Sequence, residues 1–157
     1  MAEETGLRQV VETYGNMVYR LALAQTHSGH DADDVFQEVF LRYLRSAPDF
    51  REEEHRKAWL LRVTVNCCKK LHGSFWRRHM VALSEAIPAQ NQEEQELLSL
   101  LEGLPQKYRA VLHLYYYEGY DTGEIAVILG RSPNTVRSQL ARGRALLRDA
   151  WKGAEEL

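Results

Sequence analysis

The 157-residue sequence lacks the features that build disulfide-rich, membrane-spanning or disordered proteins. It has two cysteines, and because these are the neighbours Cys67 and Cys68, they cannot build a disulfide framework. No apolar run approaches the roughly 20 residues that span a bilayer, and the opening MAEETGLRQ is not a basic and apolar leader. With 45% hydrophobic and 27% charged residues, the composition is that of a globular chain. We expect a cytoplasmic protein that does not insert into membranes.

The formal net charge of −2 conceals an uneven distribution of charge along the chain. Residues 56–78 contain seven basic and no acidic residues, and residues 131–148 contain five arginines and no acid. Residues 31–54 have the opposite bias, with eight acids against three arginines. Two basic segments and one acidic segment suggest separate partners, although solvated helix faces would produce the same pattern.

Strand signals are weak throughout, and apolar residues recur at helical spacing between breaks at proline and glycine. The segment MVALSEAIPAQNQ, residues 80–92, has no clear period and contains a proline, so it is the predicted linker. The pattern predicts an all-α protein with two small helical domains, residues 5–79 and 93–153, joined by that short linker. The predicted helices cover residues 6–27, 32–45, 55–72, 93–102, 105–117, 122–129 and 133–151, and a continuation of the third past Gly73 towards Arg78 stays open.

The most specific pattern is YDTGEIAVILGRSPNTVRSQLARGRALLRD, residues 120–149. Asp121 and Glu124 have the spacing of a capping box, and Gly130 is a typical helix end. A second helix would follow, with Ser132 as its cap and Pro133 at its first position. Two short helices joined by a tight turn predict a helix-turn-helix, with a plain helical hairpin as the alternative. The side chains predicted to contact a major groove are Ser132, Asn134, Thr135, Arg137, Ser138, Gln139, Arg142 and Arg144.

A helical projection of residues 56–72, RKAWLLRVTVNCCKKLH, separates an apolar face from a polar one. Both cysteines fall on the apolar face, so we predict that they pack in the core as small hydrophobic residues. A metal or thiol site with His72 is the alternative, but no second cysteine pair completes a ligand set. The polar face combines cations, an amide and an aromatic ring, which suits single-stranded nucleic acid, unless the ring is partly buried and the amide merely solvated. Its residues are Trp59, Arg62, Asn66, Lys69 and Lys70.

The segment DADDVFQEVFLRYLR, residues 31–45, also has two faces when drawn as a helix. A broad apolar stripe that includes Leu44 predicts the core face. Leu41 lies on the other face among acids and an amide, which is typical of a docking patch with an apolar centre and a polar rim, although single exposed leucines are common. The residues of this predicted docking face are Asp34, Gln37, Glu38, Leu41 and Arg42.

Three motifs, in their order and spacing, resemble a bacterial RNA polymerase sigma factor: DADDVFQEVFLRYLR, FREEEHRKAWLLRVTVN and LPQKYRAVLHLYYYEGYDTGEIAVILGRSPNTVRSQLARGRALL. The resemblance covers about residues 7–151. It is to the small extracytoplasmic-function group, which keeps only the region-2 and region-4 domains. It implies a transcription initiation factor that needs no catalytic residue, no cofactor and no metal.

The resemblance also implies a role for each predicted surface. The docking face would bind the clamp helices of the polymerase β′ subunit, with the β flap as a further polymerase contact. The loop containing Phe50 and the polar face of residues 56–72 would open the −10 element of promoter DNA and hold its flipped bases. The helix-turn-helix would read the −35 element, and the linker would pass near the active-site channel. An anti-sigma factor is a further expected partner.

Two features depart from the family pattern. Ala141 stands where some members have a larger side chain, and REEEH, residues 51–55, places three carboxylates beside the expected path of the nucleic acid. Two other functions stay open from the residues alone. One is a helix-turn-helix regulator that acts without polymerase, and the other is an enzyme that uses Cys67 or Cys68 with His72.

Overall fold

The computed structural model describes the backbone of residues 2–79 and 103–155, and the side chains of residues 6–71 and 103–152. Both ranges are helical and contain no strand, and the prediction of an all-α fold is confirmed. The chain divides into two compact units, Met1–Ile87 and Pro88–Leu157. The predicted linker and the predicted helix over residues 93–102 lie outside the described residues.

The first unit contains three helices that pack around one apolar core. They are α1, Ala2–Thr26, α2, Gly29–Ser46, and α3, Glu53–His79. Each of them contacts the other two. Both cysteines lie in this core, Cys67 with 5% and Cys68 with 1% of its surface exposed, and the prediction that they are packing residues is confirmed. Other buried residues that cluster with them include Val10, Val18, Ala22, Ala32, Val35, Val39, Phe40 and Leu60.

The break between α1 and α2 is shorter than the sequence pattern indicates. His27 ends α1 in the left-handed region, at φ 55°, and donates its backbone N–H to the Leu23 carbonyl at 2.9 Å. Ser28 then caps α2, because its hydroxyl accepts from the Asp31 N–H at 3.2 Å. The expected start of this helix at Ala32 is therefore wrong, since a local cap allows Gly29 to begin the first turn.

The second unit contains a helix that changes type, followed by two helices at a tight turn. Helix α4 spans Gln106–Leu112 and continues as a π-helical turn over His113–Tyr117, in which the Glu118 N–H bonds to the His113 carbonyl at 3.1 Å. The predicted regular helix over residues 105–117 is wrong in its last turn. Helices α5, Thr122–Leu129, and α6, Pro133–Glu155, complete the unit.

The local signals predicted for the helix-turn-helix are present. Asp121 and Glu124 form a complete capping box, with bonds of 2.8 and 3.1 Å between each side chain and the other residue's backbone N–H. Gly130 has φ 66°, a conformation that glycine adopts without strain, and it ends α5. The hydroxyl of Ser132 accepts from the Thr135 N–H at 3.1 Å and so caps α6. The prediction of two capped helices at a glycine turn is confirmed.

Helix α6 approaches α4 closely at a glycine. Gly143 is buried, and a Cβ at this position would lie 3.2 Å from Leu112 Cδ1 and 3.4 Å from Tyr108 Cβ. The distance to Leu112 is tighter than an ordinary side-chain contact. Glycine is unfavourable inside a helix, but at position 143 its lack of a side chain allows α6 to approach α4.

Candidate nucleic-acid interface and docking face

The exposed face of α6 presents polar and basic side chains over its first three turns. Asn134, Thr135, Arg137, Ser138 and Arg142 are exposed, while Val136 and Leu140 of the same helix are buried. The Arg137 guanidinium donates to the Asn134 side-chain oxygen one turn earlier. An arginine held by a neighbouring amide has fewer conformations to lose when it contacts a base edge.

Two side chains predicted for this face are engaged elsewhere in the second unit. Gln139 is half-buried, and its side-chain oxygen accepts from Arg131 at 2.8 Å. Arg144 donates from Nε to the Tyr116 hydroxyl at 2.6 Å, and its guanidinium lies over the Tyr115 ring at 5.1 Å. The hydrogen bond to Tyr116 raises the pKa of Arg144. Both residues therefore have side-chain partners within the second unit, and their contact with a major groove stays a prediction.

In the first unit, α3 carries an exposed row of cations around an amide. Arg62, Asn66, Lys69 and Lys70 are all exposed, and the spacing of 62, 66 and 69 places them on successive turns of one side. Thr64, on the opposite side, is fully buried and donates its hydroxyl to the Leu60 carbonyl at 2.6 Å. The arrangement can follow a phosphate backbone and offer an amide to one base edge.

Trp59 does not project freely from this face. Its ring is half-buried and meets Tyr43 edge-on at 5.9 Å and Phe50 edge-on at 6.0 Å between centroids. Tyr43 and Phe50 are stacked at 6.4 Å with 14° between their planes. We call these three rings the aromatic cluster. The prediction that Trp59 faces outward is therefore wrong. Its ring packs between Tyr43 of α2 and Phe50 of the loop of residues 47–52.

The acidic run after Phe50 does not act as one block of charge. Glu53 accepts a 2.6 Å hydrogen bond from the Tyr14 hydroxyl of α1 and pairs with the Arg56 guanidinium through its other oxygen. The Tyr14 bond, followed by the Arg56 bond, lowers the pKa of Glu53. Burial, followed by the bond to Glu53, raises the pKa of Tyr14 to about 12. One of the three carboxylates is thus directed towards α1 and Arg56.

The predicted docking face of α2 is a surface of mixed charge around exposed leucines. Leu41 is 43% exposed, Gln37 is exposed, and Glu38 accepts from Arg42 Nε at 3.0 Å. Leu44 is 52% exposed, so its assignment to the core is wrong. It lies at the edge of the helical projection, and about half of its surface stays open. Leu44 therefore joins Leu41 as a second exposed leucine of α2.

A groove of about 230 Å³ separates the docking face from the basic row of α3. Asp34, Glu38 and Arg42 of α2 line it together with Lys70 and the apolar edge of Cys67 on α3. Burial raises the pKa of the Cys67 thiol, which disfavours the nucleophilic thiolate. The two surfaces predicted for polymerase and for DNA therefore border the same groove.

Among the described residues, no group of three or more His, Cys, Asp or Glu side chains has the arrangement of a metal site. The side chain of His72, the expected partner of a cysteine nucleophile, lies outside the described residues. None of the helices in the described ranges has the length and hydropathy of a membrane-spanning segment.

Comparison with known families assigns both units. The family model for Sigma-70 region 2 matches residues 10–79, and that for Sigma-70 region 4 matches residues 94–147. The chain belongs to the sigma-70 family. The resemblance seen in the sequence, to its extracytoplasmic-function branch, is confirmed, and a helix-turn-helix regulator without polymerase association is not supported.

Three similar proteins are named as RNA polymerase sigma factors. The extracytoplasmic-function sigma factor SigE of Mycolicibacterium smegmatis is 33% identical over 90% of the chain, which covers 60% of SigE. The probable sigma factor RfaY of Xanthomonas campestris is 30% identical over 90% of the chain, which covers 39% of RfaY. SigW of Bacillus subtilis is 26% identical over 93% of the chain and is covered over 89% of its length. The chain therefore spans about two fifths to three fifths of the first two relatives.

Two solved structures have the same fold. One is the sigma factor RpoE from Bartonella quintana in complex with the anti-sigma factor NepR, with a TM-score of 0.73, 21% identity, and coverage of 92% of this chain and 96% of that one. The other is CnrH in complex with the cytosolic domain of CnrY, with a TM-score of 0.73, 25% identity, and coverage of 96% and 90%.

Proposed function

We propose that this sigma chain acts in the cytoplasm, binds core RNA polymerase and directs it to promoters with a −35 and a −10 element. The observation that carries the proposal is the exposed row of Arg62, Asn66 and Lys69 on α3, next to the aromatic cluster. The cations of this row can bind the phosphates of a duplex or of a separated strand. Only a separated strand also exposes unstacked base edges that the Asn66 amide can contact. Region-2 and region-4 family matches on the two units support the pairing of two DNA contacts in one chain.

Opening of the −10 element would follow from selective binding of the separated strand. A base that leaves the stack costs a few kcal/mol, and a surface that binds only the flipped base offsets part of that cost. Asn66 would contact one base edge, while Arg62, Lys69 and Lys70 would follow the backbone. Phe50 and Trp59 would present ring edges to the bases rather than a free stacking face, because the cluster holds both rings.

Reading of the −35 element would depend on the exposed face of α6. Arg137, positioned by Asn134, would contact a guanine edge, and Arg142 and Ser138 would contact bases or phosphates. Gln139 and Arg144 would instead support the helix through Arg131 and Tyr116. Attachment to polymerase raises the effective concentration of each unit at the promoter, so neither needs high affinity alone.

The docking face of α2 would bind the clamp helices of β′, and the second unit would reach the β flap. Leu41 and Leu44 provide the apolar centre and Asp34, Gln37 and Glu38 the polar rim. An anti-sigma factor is a further proposed partner, supported by the structural match to RpoE in its complex with the anti-sigma factor NepR. The proposal involves no chemical step catalysed by the chain itself.

Run-off transcription with core polymerase on a genomic fragment library tests the activity and yields a promoter. On that promoter, Asn66→Ala should reduce open-complex formation, measured by permanganate reactivity of unpaired thymines, more than it reduces total promoter binding. A matched control is Arg8→Ala, which removes an exposed cation from α1. Equal loss of binding and opening would exclude base capture by α3, and absence of any transcript would exclude the sigma activity.

A further inference from the structure

A continuous chain of contacts links α1 to the ring of Phe50. Tyr14 donates its hydroxyl to Glu53, and Glu53 pairs with Arg56 one turn later on α3. Arg56 donates from Nε to the Tyr43 hydroxyl at 3.1 Å, and its guanidinium lies over the Phe50 ring at 5.3 Å. The chain thus passes from α1 through the first turn of α3 to two rings of the aromatic cluster.

We propose that Tyr14, Glu53 and Arg56 form a brace that positions Phe50 for promoter opening. The brace makes opening depend on α1, a helix that carries none of the proposed DNA or polymerase contacts. This inference rests on the proposed function of the α3 face and adds three positioning residues to it.

The position of Phe50 explains why a brace is needed. Phe50 lies in the segment between Ala47 and Glu52, which forms no regular helix and leaves the ring half-buried. Phe50 stacks with Tyr43 and meets Trp59 edge-on, and the Arg56 guanidinium lies over its ring as a cation over an aromatic face.

An arginine side chain loses much rotamer freedom when it is fixed in one place. Glu53 and Tyr43 restrict Arg56 through two separate groups of its guanidinium, and hydrogen bonding to Glu53 raises the pKa of Arg56. Exposed ion pairs contribute little to stability on their own. The function of this pair is therefore better explained by orientation than by stabilisation of the unit.

The acidic run of residues 52–54 takes on a specific role in this proposal. Glu53 is the one of the three whose carboxylate bridges two side chains from different helices. Glu54, in the same turn, has the same charge and forms none of the hydrogen bonds of the brace. The chain therefore offers a matched control, one residue away, for the effect of losing a carboxylate.

The test uses holoenzyme assembled from core polymerase and the full chain on the promoter found by run-off transcription. Opening is followed by the fluorescence of 2-aminopurine in the −10 non-template strand, and total promoter binding by gel shift. Tyr14→Phe, which removes one hydroxyl, should reduce opening about three- to tenfold, the range expected for one hydrogen bond. Core affinity and total promoter binding should stay unchanged, and Glu54→Gln should open the promoter like the parent protein.

A double-variant comparison tests whether the residues act as one unit. If Tyr14 acts through Glu53, the variant Tyr14→Phe with Glu53→Ala should open no less than Glu53→Ala alone. Additive losses would overturn the brace. A purely structural role is tested with Val18→Ala, a core truncation on α1. If Val18→Ala lowers the melting temperature as much as Tyr14→Phe and impairs opening equally, the positioning role is also overturned.

Asn66→Ala separates failure of the brace from failure of the proposed function. Normal opening by Tyr14→Phe together with impaired opening by Asn66→Ala would overturn the brace and leave base capture by α3 intact. Normal opening by both variants would overturn base capture and the brace together.

Discussion

Truncation of Leu41 should weaken polymerase binding, and the loss of binding free energy should scale with the exposed fraction of its side chain. Burial of a whole leucine side chain stabilises by about 1.5–3 kcal/mol, and 43% of Leu41 is still accessible for a partner to cover. Leu41→Ala should therefore lose about 0.6–1.3 kcal/mol of binding free energy, which raises the Kd for core polymerase about three- to ninefold. The assay is fluorescence anisotropy of the labelled chain titrated with core polymerase.

The same substitution should leave the first unit folded. Alanine has the highest helix propensity, and exposed substitutions usually change the free energy of unfolding by less than about 0.5 kcal/mol. Leu44→Ala should behave like Leu41→Ala, because both leucines are exposed on one side of α2. Arg8→Ala on α1 is the control. A Kd within twofold of the parent value, or an equal change for Arg8→Ala, would refute the docking assignment.

Three further predictions concern other parts of the chain. Arg137→Ala should lose about 1–3 kcal/mol of discrimination at one position of the −35 element, and binding to a panel of single-base variants would show it as a flattened preference. Asp121→Ala should destabilise the second unit by about 0.5–2 kcal/mol, seen by calorimetry as a lower melting temperature, because the Glu124 N–H loses the carboxylate that accepts its hydrogen bond. Ultraviolet titration should find one tyrosine with a pKa of about 12 that disappears in Tyr14→Phe, and Glu53→Ala should lower that pKa. The pKa of Tyr14 in the folded protein exceeds the unfolded value of about 10. The neutral hydroxyl therefore stabilises the first unit below pH ~10, and this contribution is lost as the pH rises through ~12. An unchanged titration in Glu53→Ala would contradict the coupling between the two residues.

The helix-turn-helix could be predicted from sequence because its determinants are local. A capping box, a left-handed glycine and a serine cap each involve residues within a few positions of one another. The cysteines of α3 could be placed for a similar reason, since a helical projection gives the direction of every side chain. These features depend on periodicity and short-range hydrogen bonds, both of which are present in the sequence itself.

Features that depend on distant partners could not be predicted in this way. Gln139 and Arg144 have the polarity of base readers, but Arg131 and Tyr116 engage them. A projection also cannot tell whether a neighbouring helix covers a given direction. For that reason it assigned Leu44 to the core, although the side chain is exposed. The brace from Tyr14 to Phe50 joins residues 36 positions apart, and no local pattern marks it.

The contact at Gly143 sets the distance between α6 and α4 on the buried side of α6. Arg137 precedes Gly143 by six residues, about 9 Å along the helix axis. A methyl group at this position would have to displace α4 or α6 by a few tenths of an ångström, since its nearest neighbour would lie at 3.2 Å. If α6 reads the −35 element as proposed, that displacement would change the distance and angle between the Arg137 guanidinium and the base. Promoter choice could therefore drift through mutations at a helix–helix contact, with every base-reading side chain unchanged.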